Sequence, residues 1–286
     1  KKKKRILSNM SNHDYHEHGV DYIFSSFVKS VAKHSIAKAL QPTEASQALV
    51  FGDAMHTYFE SKTEFHSRFV TFDDREVISS IREARPNIMA PSMTKEYKAY
   101  KAEFEKGVDS DQTIISLDDV ERIEYMFKSV QKNKAVATIN DIYDYNAVWD
   151  EYSFFTDESF QKFRPIKFRV RPDKMLVQDE NPLAIIDWKS CKDASKNAFR
   201  SDFFRYRYDI QATFYCMVLG LDYSNFYFVA IEKEYPYNSA VYTLSHETYT
   251  KAANDMTTAL VQIAEWKDHP NDSSIGILNQ NTITEL

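Results

Sequence analysis

Cysteine is scarce in this 286-residue chain, which has only Cys191 and Cys216. Two thiols build neither a disulfide framework nor a four-cysteine zinc or iron–sulfur set, and a reduced compartment is the simplest setting for them. Glycine (5) and proline (8) are also sparse, which argues against a low-complexity chain. No apolar run reaches the length of a membrane span. The opening Lys1–Arg5 cluster lacks the apolar stretch of a secretory signal, and the expectation is a cytoplasmic protein. That cluster is either a backbone-contacting arm or a solvated tail. Positive charge is not in excess, since 36 Lys and Arg face 42 Asp and Glu for a formal net charge of −6. Any contact with nucleic acid must therefore come from a local cluster and not from a global basic field.

What is present is enough apolar side chain for a full core. With 43% hydrophobic and 14% aromatic residues, the chain can build one large domain or one domain with an insertion. Helical periodicity runs from Glu44 to about Lys62, with Leu49, Met55 and Phe59 near one face and Gly52 opening room for a close backbone approach. His56 shares that face and reads either as a core histidine or as a ligand. Residues 75–146 look mainly helical, most clearly Leu117–Lys132, where Val120, Ile123, Met126, Phe127 and Val130 keep a 3.6-residue spacing. The period then changes. Tyr152–Phe155, Ile166–Arg171 and Leu183–Lys189 read as successive strands, the middle one with a basic alternate face of Lys167, Arg169 and Arg171 that is either solvated or turned to phosphate. A helix follows from about Phe203 to Leu219, then strands at Asn225–Glu232 and Ala240–Leu244 and a closing amphipathic helix, His246–Trp266. The expected division is a helical part over 6–74, a helical insertion over 75–147, an αβ core over 148–268 and a tail over 269–286.

The chemistry concentrates in Arg171-Pro172-Asp173-Lys174 and Ile185-Ile186-Asp187-Trp188-Lys189. Alternation along a strand puts Asp187 and Lys189 on one face and Trp188 on the other, with its carbonyl open as an oxygen ligand. The apolar run Ala184-Ile185-Ile186 leads straight into Asp187, so the carboxylate is delivered to the end of a buried strand. A buried carboxylate is costly unless a cation compensates it. Two carboxylates and a lysine so placed suit a divalent metal held against a phosphodiester. On the helix after the strands, Arg207, Gln211 and Tyr215 form a polar ribbon among apolar neighbours, and polar groups so placed need partners.

With His56, Pro172-Asp173, Asp187-x-Lys189 and Gln211-x-x-x-Tyr215 in this order, the chain resembles the PD-(D/E)XK nuclease superfamily. Within it the chain is similar to the exodeoxyribonuclease VIII (RecE-type) nuclease domain and its phage relatives. Asp14-Tyr15-His16, Ser25-Ser26, Gly52-Asp53-Ala54-Met55-His56 and Arg207-Tyr208-Asp209-Ile210-Gln211 add to that narrower likeness. The resemblance implies a single mixed α/β nuclease domain, a restriction-endonuclease-like core with a central mixed sheet flanked by helices and a helical insertion. It implies Mg²⁺ or Mn²⁺ held by His56, Asp173, Asp187 and the Trp188 carbonyl, with Lys189 orienting the attacking water and Gln211 and Tyr215 on the bridging helix. Arg171 and Arg207 are either phosphate contacts or salt-bridge partners. Ser25, Ser26 and Lys29 either hold a terminal 5′-phosphate or, for the serines, cap a helix. Glu151, ahead of the first strand, is either a further carboxylate of the site or an exposed strand-end residue.

The implied activity is digestion of linear double-stranded DNA, 5′ to 3′, leaving 3′ overhangs for a recombination annealing protein in a bacterial or phage-infected cell, with a ring-shaped homo-oligomer and no membrane. Iron–sulfur relatives with the same constellation need four cysteines, which two cannot supply. A PD-(D/E)XK endonuclease and a catalytically silent DNA-binding module are the alternatives, and intact Asp173, Asp187 and Lys189 speak against the second.

Overall fold

A computed structural model describes residues 5–8, 19–42, 46–156 and 166–270. Asp14-Tyr15-His16, Lys1–Lys4 and the end of the tail lie outside the described residues. The chain divides into two compact units, one of Lys1–Glu44, Asn133–Ile231 and Ser239–Leu286, the other of Ala45–Lys132 and Glu232–Asn238.

The first unit opens with β1 (Arg5–Ser8), β2 (Tyr22–Ile23), α1 (Ser25–Lys33) and the short α2 (Ile36–Ala39). The second unit follows with α3 (Gln47–Glu60), α4 (Lys62–Arg68), β3 (Phe69–Phe72), α5 (Arg75–Ala84), α6 (Lys95–Lys106), β4 (Thr113–Ser116) and α7 (Leu117–Lys132). The remaining elements are α8 (Lys134–Ile142), β5 (Ala147–Asp150), β6 (Ser153–Thr156), β7 (Lys167–Val170), β8 (Lys174–Gln178), β9 (Asn181–Cys191), α9 (Lys196–Arg205), α10 (Tyr208–Leu219), β10 (Phe226–Glu232), β11 (Ser239–Thr243) and α11 (His246–Asp268).

In the second unit, β3 and β4 pair in parallel and the helices pack through aromatic rings such as Tyr58 on Phe65 and on Phe127. Arg68 on α4 reaches back to Asp53 at 2.7 Å and to the Thr57 hydroxyl at 2.8 Å, which fixes α4 against α3. Two expectations for α3 are corrected. Leu49 is 55% exposed, because it sits in the first turn after the Ser46 cap, and a Cβ at Gly52 would meet nothing within 4 Å among the described residues. Gly52 is therefore not a point of close approach.

The first unit holds two sheets, a five-stranded one in the order β11-β10-β9-β8-β5 and a four-stranded one in the order β1-β6-β7-β2. Its core joins Phe168 and Val170 of β7, Met175 and Val177 of β8 and Ile185 of β9 to Phe214 of α10 and Leu260 of α11. Ile210 to Phe214 of α10 are all buried, so this helix is enclosed nearly all round, whereas α11 buries one stripe of Ala252, Met256, Ala259, Leu260 and Ile263.

The β8–β9 hairpin sets the alignment of the charged residues at the open ends of its strands. Its two-residue turn, Asp179 (φ 47°) and Glu180 (φ 63°), uses the left-handed region at both positions, as a right-twisted hairpin favours. Gln178 pairs with Asn181 and Val177 with Pro182, but Leu176 pairs with Ala184, so Leu183 is an extra residue and the register shifts by one. Beyond this bulge Met175 faces Ile185 and Lys174 faces Ile186.

Several strands escape the sequence reading, among them β5 and β8, each of 4–5 residues and close to a turn. The helix expected from Phe203 to Leu219 is two helices, because Arg207 is left-handed (φ 54°) and ends one before the other begins. The supposed solvated or phosphate-facing row of β7 is neither at its centre. Arg169 is 1% exposed, with its guanidinium 4.5 Å from the Phe24 ring centre.

Candidate active site

Register alone brings three carboxylates into line. Asp150 of β5 pairs with Lys174 of β8, and Lys174 with Ile186 of β9. One step further along each strand stand Glu151, Asp173 and Asp187, in a single row across adjacent strands, where side chains share a face. The Glu151 N–H donates to the Asp173 carbonyl at 3.0 Å, and carboxylate oxygens of these two residues lie within 4.8 Å of each other. Glu151 takes a left-handed backbone (φ 50°). A non-glycine residue there costs about 1–3 kcal/mol, strain of the kind that collects at functional sites.

Each member of the row is oriented by neighbours. The Asp173 carboxylate accepts from the Trp188 backbone N–H at 2.8 Å. Asp187, fully buried, is ion-paired with Lys189 and accepts from the Gln211 side-chain amide at 2.8 Å. Gln211 in turn accepts from Lys29 of α1 at 3.2 Å. Glu151 pairs with the Arg171 guanidinium at 2.9 Å, and the Tyr215 hydroxyl donates to the Arg171 carbonyl at 3.1 Å, holding the backbone just ahead of Pro172-Asp173. Asp173, Asp187, Lys189, Gln211, Tyr215, Arg171 and Lys29 thus belong to one network. Glu151, which the sequence left open, belongs to it as well.

The pKa values of the two lysines are pushed in opposite directions. Burial works against the Lys189 ammonium, but Asp187 and Asp173 outweigh it and raise its pKa, so Lys189 stays a cation. For Lys29, burial and then the Lys189 charge prevail over Asp187 and Asp209 and push the ammonium down to about 8. Both cations lie over the Tyr208 ring, Lys189 at 5.0 Å and Lys29 at 5.7 Å from its centre. Burial pushes the Tyr208 hydroxyl up to about 12.

The other expected residues fall in different places. Ser25 is half-buried and Ser26 exposed at the start of α1, whose N-cap is Phe24, so neither serine is the cap. Arg207 donates to Asp209 from Nε at 3.0 Å and from Nη2 at 3.2 Å, and from Nη2 also to Asp255 at 2.6 Å. His56 is half-buried on α3 of the second unit. Burial pushes the Cys216 thiol up to about 12, which removes it as a nucleophile.

Oxygen donors dominate the row. A buried carboxylate beside two others suits a hard divalent cation, and these residues fit Mg²⁺ or Mn²⁺. Among the described residues no helix is long and apolar enough to cross a membrane.

A family model described as a PDDEXK-like domain of unknown function (DUF3799) matches residues 23–274. No curated protein matches the chain. Among solved structures, a candidate exonuclease from Eubacterium rectale superposes with a TM-score of 0.54 at 11% identity, covering 98% of this chain and 96% of the other, which speaks to the fold. The crystal structure of SSO0001 covers 74% of this chain and 87% of its own at 13% identity, with a TM-score of 0.26 that carries no argument. The mixed α/β architecture is that of a PD-(D/E)XK domain.

Proposed function

Since the chain belongs to the DUF3799 family of PDDEXK-like domains, we propose that it is a divalent-metal-dependent deoxyribonuclease that degrades linear double-stranded DNA from its ends. The observation that supports this most is the row Glu151–Asp173–Asp187 with Lys189 ion-paired at its end. In this reading Asp173, Asp187, Glu151 and the Trp188 carbonyl hold Mg²⁺ or Mn²⁺, and His56 joins them on the strength of its sequence motif. Such a metal lowers the pKa of bound water and neutralises charge on the scissile phosphate.

The protein supplies the rest. Lys189, kept charged by Asp187 and Asp173, orients the attacking water and offsets the growing negative charge on the phosphoryl oxygens. Gln211 holds Asp187 in place, and the Trp188 N–H does the same for Asp173. Lys29 and Arg171, held by Gln211 and Glu151 within the site, are the phosphate contacts of this reading, while Arg207, committed to two aspartates, acts through structure. The 5′-to-3′ polarity, the 5′-phosphate preference through Ser25, Ser26 and Lys29, the annealing protein that would use the 3′ overhang and the ring-shaped oligomer all follow from the RecE-type resemblance.

The test uses end-labelled linear duplex and covalently closed circles with Mg²⁺, Mn²⁺ or EDTA. Linear DNA should be degraded with either metal, circles spared and EDTA inhibitory. Nicking of circles as fast as linear digestion would make the enzyme an endonuclease. Label released first from 3′ ends would reverse the polarity.

A further inference from the structure

Beyond the carboxylate row, the first unit carries a cleft of about 310 Å³ between α9, the end of β11 and the start of α11. Phe199, Phe203, Phe204 and Tyr242 give it an aromatic wall, and Lys196 and Arg200, one turn apart on α9, give it charge. Among the described residues, none that line it is acidic, although acidic residues outnumber basic ones in the whole chain. Phe204 is 38% exposed, and the Arg200 guanidinium lies 5.3 Å from its ring centre, so a flat face and a cation are offered side by side. The Thr248 hydroxyl accepts from Ser245 at 3.0 Å and keeps its own proton to donate.

The cleft is joined to the reacting groups by stacked rings. Lys189 lies over Tyr208, Tyr208 stacks on Phe199 (centres 6.3 Å apart), and Phe199 stacks on Tyr242 at 5.0 Å. The Tyr242 hydroxyl donates at 2.7 Å to the carbonyl of Ala194, just past the end of β9, the strand that carries Asp187 and Lys189. Three ring contacts thus separate Lys189 from the Tyr242 side of the cleft.

Resting on the nuclease function proposed for the carboxylate row, we infer that this cleft seats one unpaired nucleotide of the DNA strand next to the cleaved bond, its base on Phe204 and its phosphate between Lys196, Arg200 and Thr248. The volume falls at the low end of the roughly 300–1,000 Å³ of ligand clefts, which suits a single nucleotide. Aromatic stacking accepts any base, so the contact grips without reading sequence.

The probe is a fluorescein-labelled 12-mer oligothymidylate titrated with full-length protein in EDTA, read by anisotropy. Phe204→Ala should weaken binding roughly 5- to 150-fold, the range of one lost base stack. Arg200→Ala should weaken it and lower the slope of log K against log salt by about 0.7, one phosphate's share on a single strand. Both side chains are exposed, and unchanged melting temperatures would show that neither variant misfolds. Affinities of both variants within about twofold of the unmodified protein, where a stack alone is worth far more, would overturn the inference. Should the unmodified protein cut no DNA under any metal yet lose oligonucleotide binding in both variants, the nuclease function falls while the nucleotide cleft stands. If it cuts DNA and neither substitution has any effect, the cleft falls while the nuclease function stands.

Discussion

Asp187 and Lys189 depend on each other. Asp187→Asn keeps shape but removes the charge that holds Lys189 and, in the proposed function, the metal, and DNA hydrolysis should fall about 10²-fold or more in a single-turnover assay. An unchanged rate would remove the site assignment. Lys29 gives a pH signature. Its folded pKa of about 8 lies below its ordinary 10.5, so between these values the unfolded chain binds more protons and metal-free protein gains stability as pH rises. Below about 8 the folded protein bears the whole cost. Lys29→Met should therefore be more stable than the unmodified protein at pH 7, by up to about 3 kcal/mol, with the gap closing toward pH 10.5 in urea denaturation with EDTA. Arg207→Ala should cost about 2–4 kcal/mol, because it leaves the buried Asp209 carboxylate without its cation. Were Arg207 chiefly a DNA contact, its loss would weaken binding and leave the melting temperature unmoved.

Elements differ in how much of them the sequence displays. Helix α7, Leu117–Lys132, coincides with its expected bounds because its apolar spacing is local and regular. The strand that delivers Asp187 was legible for a similar reason, since Ala184-Ile185-Ile186 can be read without knowing any partner. Glu151 was not. Its place in the row comes from β5 pairing with β8, about two dozen residues further along the chain, and side-chain pattern does not encode partner choice. The break at Arg207 was equally hidden, since one left-handed residue leaves the flanking apolar pattern intact. The turn of the β8–β9 hairpin offers a test at this scale. Glu180 is held at φ 63°, where glycine is free of strain, so Glu180→Gly should stabilise the protein by about 1 kcal/mol in thermal or urea melts. A loss of stability would mean that the Glu180 side chain matters more than its backbone.

Taken whole, the molecule is acidic, with a formal net charge of −6, yet its proposed ligand is a polyanion. Attraction is then confined to the few cations of the site, and the salt dependence of duplex binding should be shallow. With about three phosphates neutralised, raising salt from about 50 to about 200 mM should weaken binding roughly 40-fold, against the 10³–10⁵ of proteins with 6–10 phosphate contacts. Fluorescence anisotropy in EDTA measures it. A far steeper slope would place much of the binding surface outside the site and its neighbouring cleft.

Leu183, the extra residue of the bulge, is the one position between the two aspartates, outside the turn, that has no facing residue. If the same chain paired without forming the bulge, in the register of its turn, Asp173 would face Ile186 in place of Asp187. The thirteen residues between the two aspartates divide into two for the turn, one for the bulge and the rest in facing pairs, and it is the equal number on the two strands that aligns the site. A deletion from β8, with the bulge kept, changes no reacting group, yet it would set Asp173 opposite Ile186 and send neighbouring carboxylates out of line, whereas loss of Leu183 itself would leave Asp173 facing Asp187 in an unbulged ladder. For such a chain, the spelling of the motif can survive while its arithmetic fails, and an intact Pro-Asp and Asp-x-Lys with unequal numbers of pairing residues on the two strands would mark a gene whose product still folds but no longer cuts.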